Sequence, residues 1–489
     1  MSSVSVLVEI KKKQSEAFAM HRAALHSEVE STHQAESLVA KLTGLGLEVL
    51  GDYAPVPMFS KKARQDSGAG LAAFALHAAT ETSESADVSA ESVVIACEID
   101  RAKVDELKTK PNVKVWPNSR LTLHSNRSES TCPNCREKMD AEQSDAWRSV
   151  FDQARSAGSR VDCRPYRPAA SQEEIRDLLG VRRIWQDGFR GQNIIVGILD
   201  EGVNGDEYPV VGGFSRPNAT QPGSASIRSH GSMCAADILV AAPAAKIYDY
   251  PFLGIPDSGG ALAMMQAVLN QRQLDGTPQI TNNSYGFVGR PSKDRFPDHE
   301  VWDIDHPYNR KVAEVVESGC SCFFSAGNCG ENCPDGRCHA SGIGPEKSIH
   351  AANSLQEVIT VAAVNSRHER IGYSSQGPGG FASQKPDLSG YSHFFGNFGP
   401  GRPAGGSKAD FDSGTSAACP VVAGVGALLL NAFRDLTPDE LKAVLLEGAT
   451  ELGPPGWDRD TGFGVVNAAV SYTILNRAPV GRATSRSRR

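Results

Sequence analysis

The sequence predicts an α/β protein whose main domain is a mostly parallel sheet flanked by helices, preceded by a small α+β domain. Continuous apolar runs such as 193–199 are typical of strands that a parallel sheet buries on both faces. Such runs alternate with helical segments between 171 and 476, which is typical of a parallel sheet with helices on both faces. With 489 residues and 40% hydrophobic content, the chain can form several domains and a substantial core.

Residues 1–124 have a separate pattern, with strands and helices in the order βαββαβ, the ferredoxin-like split unit. The stretch 61–90, between the second and third strands, is rich in Ala, Ser and charged residues and is predicted to be a mobile loop. The predicted elements of this domain are strands at 4–10, 47–50, 92–99 and 113–116 and helices at 37–45 and 101–110.

In the main domain, from 171 to 476, apolar runs predict the strands and longer periodic segments predict the helices. The serine of a small-residue turn, Ser416, is followed by an apolar run that predicts a buried helix. The predicted strands are 193–199, 246–250, 279–284, 321–325 and 358–364, and the predicted helices are 261–274, 309–318, 421–430 and 438–446.

Three polar residues in this domain stand where chemistry is expected. Asp200 ends the first strand, and open α/β sheets bind ligands at the carboxyl ends of their strands. His230 and Ser416 each follow a turn and open a helix, where the helix dipole favours developing negative charge. Each residue alone has an ordinary interpretation, since Asp200 fits a cap, His230 a loop residue and Ser416 an N-cap. Together, in the order Asp, His, Ser, they predict a catalytic triad.

The three residue types suit nucleophilic catalysis. A serine hydroxyl is a weak nucleophile until a base takes its proton. His230 is the natural base because a histidine pKa near 6.5 leaves the ring largely neutral at pH 7. Asp200 would hold the imidazole in the required tautomer and stabilise the imidazolium.

On these residues the chain resembles the subtilases, the subtilisin-like serine peptidases, over roughly 172–471. Val196-Gly-Ile-Leu-Asp-Glu-Gly202 is similar to the aspartate motif of the family, His230-Gly-Ser232 to its histidine motif and Gly414-Thr-Ser-Ala-Ala-Cys-Pro420 to its serine motif. Three further segments resemble the oxyanion-asparagine segment, the substrate-pairing strand and the closing glycine motif, namely Phe324–Asn328, Thr281–Gly286 and Gly462–Asn467.

The resemblance implies a serine endopeptidase that acts on polypeptides through an acyl-enzyme and needs no cofactor for its chemistry. The side chain of Asn328 and the backbone N–H of Ser416 would bind the oxyanion, although a turn asparagine is the ordinary interpretation of Asn328. The implied substrate-binding residues, which would also wall the pocket for the P1 side chain, are Ser284, Tyr285, Gly286, Ala326 and Gly327.

By the same resemblance, 1–124 is a propeptide, which would make the chain a zymogen inhibited by its own N-terminal domain. The segment 117–124 would lie in the substrate cleft.

Two residues beside the predicted triad, Glu201 and Cys234, bear on its chemistry. Glu201 stands where Ser or Thr is usual and is expected to point toward solvent or another loop. Cys234 is expected near His230, one helical turn along, where it is either sensitive to thiol reagents or a small buried apolar residue.

The cysteines allow three interpretations. Residues 125–170 form a long linker that contains a Cys-x-x-Cys pair at 132 and 135, which is only half of a zinc site. Two cysteines from a second cluster would complete that site. The alternatives are disulfides within 329–338, or free thiols if the protein is cytosolic. The linker also contains Cys163, and the second cluster comprises Cys320, Cys322, Cys329, Cys333 and Cys338.

The composition and the absence of certain sequence patterns limit the classes of partner and the location that we expect. A net charge of −7 argues against a nucleic-acid protein, and the basic tail 477–489 is expected to be a disordered end. The sequence contains neither a signal-peptide pattern nor an apolar run of about 18 residues, so we expect no membrane partner and a cytoplasmic location, with non-standard export left open. Two alternatives to the protease remain, a silent peptide-binding module and a zinc-stabilised structural protein.

The sequence offers few candidate residues for the P1 preference and for calcium binding. Glu331 and Asp335, after the oxyanion segment, would favour a basic P1 residue, although surface charge in a loop is their ordinary explanation. Structural calcium is common in subtilases. Asp206 and Glu207 are its only candidate ligands here, and no metal residue is assigned.

Overall fold

The structure is a computed structural model that describes residues 3–11, 47–50, 54–59, 91–124, 161–163, 169–216, 218–252 and 256–477. The predicted helix at 37–45, the predicted loop at 61–90, the Cys-x-x-Cys pair and most of the basic tail lie outside these residues. Within them, the α/β class with a preceding α+β domain is confirmed.

The N-terminal domain forms an antiparallel sheet in the order β2-β4-β1-β5, with β3 pairing the same edge of β4 as β2. The predicted helix at 101–110 is a 3₁₀ turn at Arg101–Lys103 followed by the short helix α1 (Val104–Lys108). β3 was not predicted. The strands are β1 (Ser3–Lys11), β2 (Glu48–Val49), β3 (Val56–Met58), β4 (Ser92–Asp100) and β5 (Val113–Pro117).

The main domain is built on a nine-stranded sheet, whose path is β10-β11-β9-β12-β14-β15-β16-β7 with β17 also pairing β15. Its pairs are parallel except β15 with β16. Two further two-stranded ladders are β6 with β13 and β8 with β18. The strands are β6 (Thr122–Leu123), β7 (Val161–Asp162), β8 (Ala170–Ser171), β9 (Ile195–Asp200), β10 (Val210–Gly213), β11 (Lys246–Pro251), β12 (Ile280–Asn283), β13 (Tyr285–Gly286), β14 (Ser321–Ser325), β15 (Ile359–Val364), β16 (Arg370–Ile371), β17 (Leu388–Tyr391) and β18 (Phe394–Phe395).

The helices of the main domain begin at recognisable signals. Capping boxes open α2 and α8, with Ser171 and Thr437 as N-caps, and Pro307 opens α6. The helices are α2 (Gln172–Leu179), α3 (Val181–Gln186), α4 (His230–Ala241), α5 (Ser258–Asp275), α6 (Pro307–Glu317), α7 (Thr415–Ala432), α8 (Pro438–Glu447) and α9 (Ala468–Arg477).

Neighbouring strand residues supply two cores on opposite faces of the sheet, because side chains alternate along a strand. Ile198 and Phe323 pack in the core that contains α4 and α7, whereas Leu199 and Phe324 pack in the core that contains α5 and α6. α7 is long and apolar enough to cross a membrane, but its residues are almost all buried as a core helix of this fold. Both faces are therefore covered, as the continuous apolar runs predict.

The N-terminal domain packs its sheet against the main domain. Leu7, Met58 and Trp116 form one apolar cluster with Leu262 of α5. The strand β6, which lies near the end of this domain, pairs antiparallel with β13 of the main domain. Thus the end of the N-terminal segment lies directly on the strand predicted to bind substrate.

Candidate active site

Asp200 lies at the carboxyl end of β9, between β11 and β12, and is fully buried. One carboxylate oxygen accepts the N–H of Glu201 at 2.8 Å. The strand is central because its apolar run is covered on both faces. Its end consequently aims Asp200 at a ligand-binding edge of the sheet.

His230 is the first residue of α4, whose N-cap Ser229 accepts the N–H of Ser232. Its Nδ1 lies 2.9 and 2.8 Å from the two carboxylate oxygens of Asp200. Gly231 makes this approach feasible, since a Cβ there would overlap the carbonyl oxygen of Gly202 in the turn after β9. Bonded in this way, Nδ1 carries the hydrogen and Nε2 is left with its lone pair.

Glu201 is exposed, as predicted, and its carboxylate accepts the backbone N–H of His230. An acidic group at a helix N-terminus satisfies an unpaired N–H and interacts favourably with the dipole. Glu201 therefore supports the start of α4 while its carboxylate remains outside the buried pair of Asp200 and His230.

Ser416 is the second residue of α7 and is fully buried. Its Oγ donates to the carbonyl of Ser284 at 3.2 Å. Among the described residues, Nε2 of His230 has no hydrogen-bond partner. The structure thus joins Asp200 to His230 directly, and the hydroxyl of Ser416 is bonded to Ser284, just before β13, instead of the imidazole.

Asn328 is held by the start of α7. Its Oδ1 accepts both the backbone N–H and the hydroxyl of Thr415, each at 2.9 Å. This arrangement directs Nδ2 outward, where it donates to the carbonyl oxygen of His124 at 2.6 Å. Gly327, at φ 109°, makes the turn that brings Asn328 there.

The predicted substrate-binding residues act here mainly through their backbones. Tyr285 and Gly286 pair with Leu123 and Thr122, and the Ser284 carbonyl accepts the N–H of His124 at 2.9 Å. The Tyr285 side chain itself is buried in the α5–α6 core. Ala326, also buried, donates its N–H to Val361, so it continues the sheet beside the site.

Sequence reasoning missed several residues of this site. Asn353 donates to the carbonyls of Tyr285 and Ser325, at 2.8 and 2.9 Å, and so joins β13 to β14. The hydroxyl of Tyr373 accepts the N–H of Gly414 at 2.7 Å, before the start of α7. Neither position carries a local sequence signal, because each acts through contacts distant in the chain.

Four of the cysteines that the structure describes form two disulfides, Cys163–Cys333 and Cys329–Cys338. The interpretation of these four as free thiols is therefore wrong, and a disulfide within 329–338 is confirmed. Cys320 and Cys322 are buried thiols in the α5–α6 core. The zinc hypothesis depends on Cys132 and Cys135, which lie outside the described residues, so it stays a prediction.

Cys234 is a buried free thiol, and its Sγ lies 3.9 Å from Asp200 Oδ2 and 3.7 Å from the carbonyl of Ser416. Burial, with the nearby Asp200 carboxylate, raises the pKa of this thiol well above its ordinary value. The thiol is thus protonated and packs between the elements that carry the predicted triad.

Asp206 and Glu207, the predicted calcium candidates, are exposed. Within the part of the chain that the structure describes, one group of three or more His, Cys, Asp or Glu side chains comes together, and it is Asp200, His230 and Cys234. Asp206 and Glu207 therefore do not fit a calcium site built from side chains alone.

Comparisons with known proteins agree with this architecture. Fervidolysin of Fervidobacterium pennivorans is 29% identical over 320 residues, covering 59% of this chain and 42% of its own length. A calcium-dependent protease of Trichormus variabilis is 25% identical over 335 residues, covering 57% of this chain and 46% of its own. This chain spans less than half the length of either relative.

The crystal structure of fervidolysin, described as a keratinolytic enzyme related to subtilisin, superposes with a TM-score of 0.55 at 17% identity. The match covers 96% of this chain and 61% of that one, and it shows a shared fold. The model of the subtilase family matches residues 191–464, which include Asp200, His230, Asn328 and Ser416. The chain belongs to the subtilase family, the subtilisin-like serine peptidases.

Proposed function

We propose that this protein is a serine endopeptidase that uses Asp200, His230 and Ser416 and is inhibited by its own N-terminal domain. The observation that carries the proposal is the position of His124. Its N–H and carbonyl are bonded to Ser284 and Asn328, the backbone and side-chain groups expected to hold the residue whose carbonyl is attacked.

The reaction follows from this geometry. Rotation of the Ser416 side chain from the Ser284 carbonyl toward His230 brings the hydroxyl to the free Nε2. The imidazole accepts the proton as Oγ attacks the peptide carbonyl, and Asp200 stabilises the imidazolium through Nδ1. The Nδ2 of Asn328 and the N-terminus of α7 stabilise the oxyanion. The proton then passes to the leaving amine, and water hydrolyses the ester.

Self-inhibition is supported by polar contacts beyond β6. Ser119 donates its N–H and its hydroxyl to Glu300, at 3.0 and 2.9 Å. Arg310 of α6 pairs with the buried Glu9 of β1 at 2.7 Å. Burial raises the pKa of Glu9, but Arg310, Ser92 and Trp116 outweigh burial, so the net pKa is lowered and the carboxylate is charged.

An activity-based probe tests the proposal. A fluorophosphonate labels only an activated serine, so wild-type protein should be labelled once the N-terminal domain is released, whereas Ser416→Ala should not. Labelling that is unchanged in Ser416→Ala would exclude Ser416 as the nucleophile. Absence of labelling in the wild type after that release would favour the silent peptide-binding module.

Structural calcium is proposed on the similarity to a calcium-dependent protease alone, and no residue is assigned to it. Thermal unfolding of Ser416→Ala in calcium and in a chelator checks it. We expect a higher Tm in calcium, because a ligand bound only by the native state stabilises that state. Equal Tm values in calcium and in the chelator would contradict a stabilising calcium ion.

A further inference from the structure

The side chain of His124 fills a closed pocket beside the predicted oxyanion site. The residue is 3% exposed, and its Nδ1 lies 2.7 Å from the hydroxyl of Ser325 at the end of β14. The space that this side chain occupies is here called the S1 pocket. Ser325 and Gly286 contact the imidazole, and Asn328 binds the carbonyl of the same residue. One hydroxyl can therefore exchange a hydrogen bond with Nδ1 of the imidazole, whereas its Nε2 is buried without a hydrogen-bond partner among the described residues.

Gly286 sets the width of the S1 pocket. A Cβ at this position would lie 2.8 Å from Cε1 and 3.1 Å from Nε2 of the His124 ring, and 3.0 Å from Nδ2 of Asn353. The imidazole is thus in close contact with the backbone of β13. A fused double ring such as that of tryptophan would have to displace this strand.

The charges around the pocket disfavour a cationic side chain. Burial, and then the nearby Arg337, His230 and His350, lower the pKa of His124 well below its usual value. A neutral imidazole avoids the large cost of burying an unpaired charge.

The two carboxylates that suggested a basic P1 residue are engaged elsewhere. Asp335 is nearly buried and bonds to the guanidinium of Arg337 at 2.7 and 2.9 Å. Glu331 accepts from Gln376 at 3.2 Å and lies 3.9 Å from Arg459. Neither carboxylate has a contact with His124, so neither of these two described residues supplies the counter-ion that a lysine or arginine would need.

We propose that the S1 pocket selects a neutral histidine at P1 and that the chain cuts its own peptide bond between His124 and Ser125. This proposal rests on the proposed function. The Oγ of Ser416 forms an ester with the carbonyl carbon of His124, and the bond to the nitrogen of Ser125 breaks. The proton of Ser416 passes through His230 to that nitrogen. Water then regenerates the enzyme and leaves a carboxylate on His124.

Intact-mass analysis of the full chain tests the cut. Wild type should yield one N-terminal product ending at His124, and Ser416→Ala should remain whole. Cleavage by wild type at another bond would overturn the proposal while leaving the protease intact. Fluorophosphonate labelling separates the remaining outcomes. A whole, labelled wild type overturns the proposal alone, whereas a whole, unlabelled wild type overturns the proposed function with it.

Variants at P1 test the selection. His124→Phe keeps a ring but loses the bond to Ser325, and His124→Lys introduces a charge. We expect self-cleavage to slow about tenfold for Phe, the cost of one lost hydrogen bond, and by more for Lys. Equal or faster cleavage in either variant would contradict selection for histidine. Circular dichroism shows whether each variant folds.

Peptides supplied to the processed enzyme test the pocket without altering the N-terminal domain. The peptide Arg-Leu-Thr-Leu-His-Ser copies 120–125, and its matched controls carry Phe or Lys in place of His. Wild type should prefer His by about tenfold in kcat/KM. In Ser325→Ala the ratio of His to Phe should fall toward one. A ratio that Ser325→Ala leaves unchanged would exclude Ser325 as the determinant, since a general loss of structure lowers both rates together.

Discussion

Asn328 illustrates how one side chain is oriented for use. An amide that accepts two bonds from Thr415 through Oδ1 has only its Nδ2 group left to present, and that group meets the carbonyl of His124. The donor is therefore fixed before a substrate arrives, so little reorganisation is needed when negative charge develops.

We predict that Asn328→Ala lowers kcat by about 10²–10³, with a much smaller change in KM, because a pre-oriented donor acts mainly in the transition state. Steady-state kinetics on a chromogenic peptide checks this. Thr415→Val keeps the shape but removes the hydroxyl bond to Oδ1, and should lose less. A change confined to KM would mean that Asn328 binds the ground state and the transition state equally.

Gly231→Ala should lower kcat by about 10²-fold. Its methyl group would overlap the Gly202 carbonyl, which would push the start of α4 and the His230 ring away from Asp200. The NMR resonance of the Nδ1 proton should shift or disappear in the variant. Gly380→Ala is a control for glycine replacement, because Gly380 is exposed and a Cβ there would meet its neighbours only at ordinary contact distances of 3.4 Å or more. Full activity in Gly231→Ala would show that the turn after β9 adapts.

At the scale of elements, the long buried segments were predictable and the short ones were not. β14 was predicted at its observed bounds, and α7 and β9 were predicted in place, since continuous apolar runs signal burial directly. β7 and β16 have two residues each and pair with each other across 209 positions, Arg370 with Val161 and Ile371 with Asp162. A pairing of that kind leaves no periodic signal.

The residues of the candidate site likewise differ in how far the sequence predicts them. The motif residues Asp200, His230 and Ser416 have strong local contexts, at a strand end and two helix starts. Ser325 and Asn353 act through contacts that only the folded sheet creates. The rotation of Ser416 toward Ser284 could not be predicted either, because a side-chain rotamer depends on what fills the site.

The loop closed by Cys329–Cys338 begins beside Asn328, whose carbonyl accepts the N–H of Asp335 at 2.9 Å. We predict that Cys329→Ser with Cys338→Ser lowers stability by about 2–3 kcal/mol, the chain-entropy value for so short a loop. Urea unfolding in the Ser416→Ala background measures it. With Ser416 intact, kcat should also fall, since the residue that follows Asn328 is no longer fixed by the disulfide.

Removing the longer bridge with Cys163→Ser and Cys333→Ser is the matched comparison. It closes 170 residues and should cost more stability, about 5 kcal/mol, but less kcat than the first pair. If both pairs lower kcat equally, the short loop has no special connection to Asn328.

For the whole molecule, the N-terminal domain is held by apolar packing on α5, the pair Glu9–Arg310 and the strand pairing of β6. Two disulfides are typical of proteins in oxidising compartments. They favour the export that the sequence left open over the expected cytoplasmic location, which stays a prediction. The roles of the N-terminal domain and of the linker likewise stay proposals.

Docking of the N-terminal domain should weaken in acid. Burial lowers the pKa values of His124, His299 and His306, although Glu300 partly opposes this for the last two. Well above pH 6.5 these rings are neutral whether the domain is docked or free, so pH has no effect on docking through them. Below it the free rings bind protons that the docked rings resist, and docking loses free energy as pH falls.

Hydrogen exchange of Ser416→Ala, corrected for the intrinsic pH dependence, measures this effect. Protection of the segment 117–124 should be constant above pH 7 and decrease from pH 6.5 to 5. His124→Gln, which cannot titrate, should reduce the decrease. Protection that is flat across this range would contradict the prediction.

The disulfide between Cys163 and Cys333 determines how the cut chain migrates in gel electrophoresis with and without reductant. After a cut behind His124, the N-terminal domain has no covalent link to the rest, whereas the segment from 125 onward stays bonded to the main domain. A second cut anywhere between 163 and 169 would produce a two-chain enzyme that migrates as one band without reductant and as two bands with it. The maturation history of a sample can therefore be read from paired gels, provided that the thiols are alkylated first.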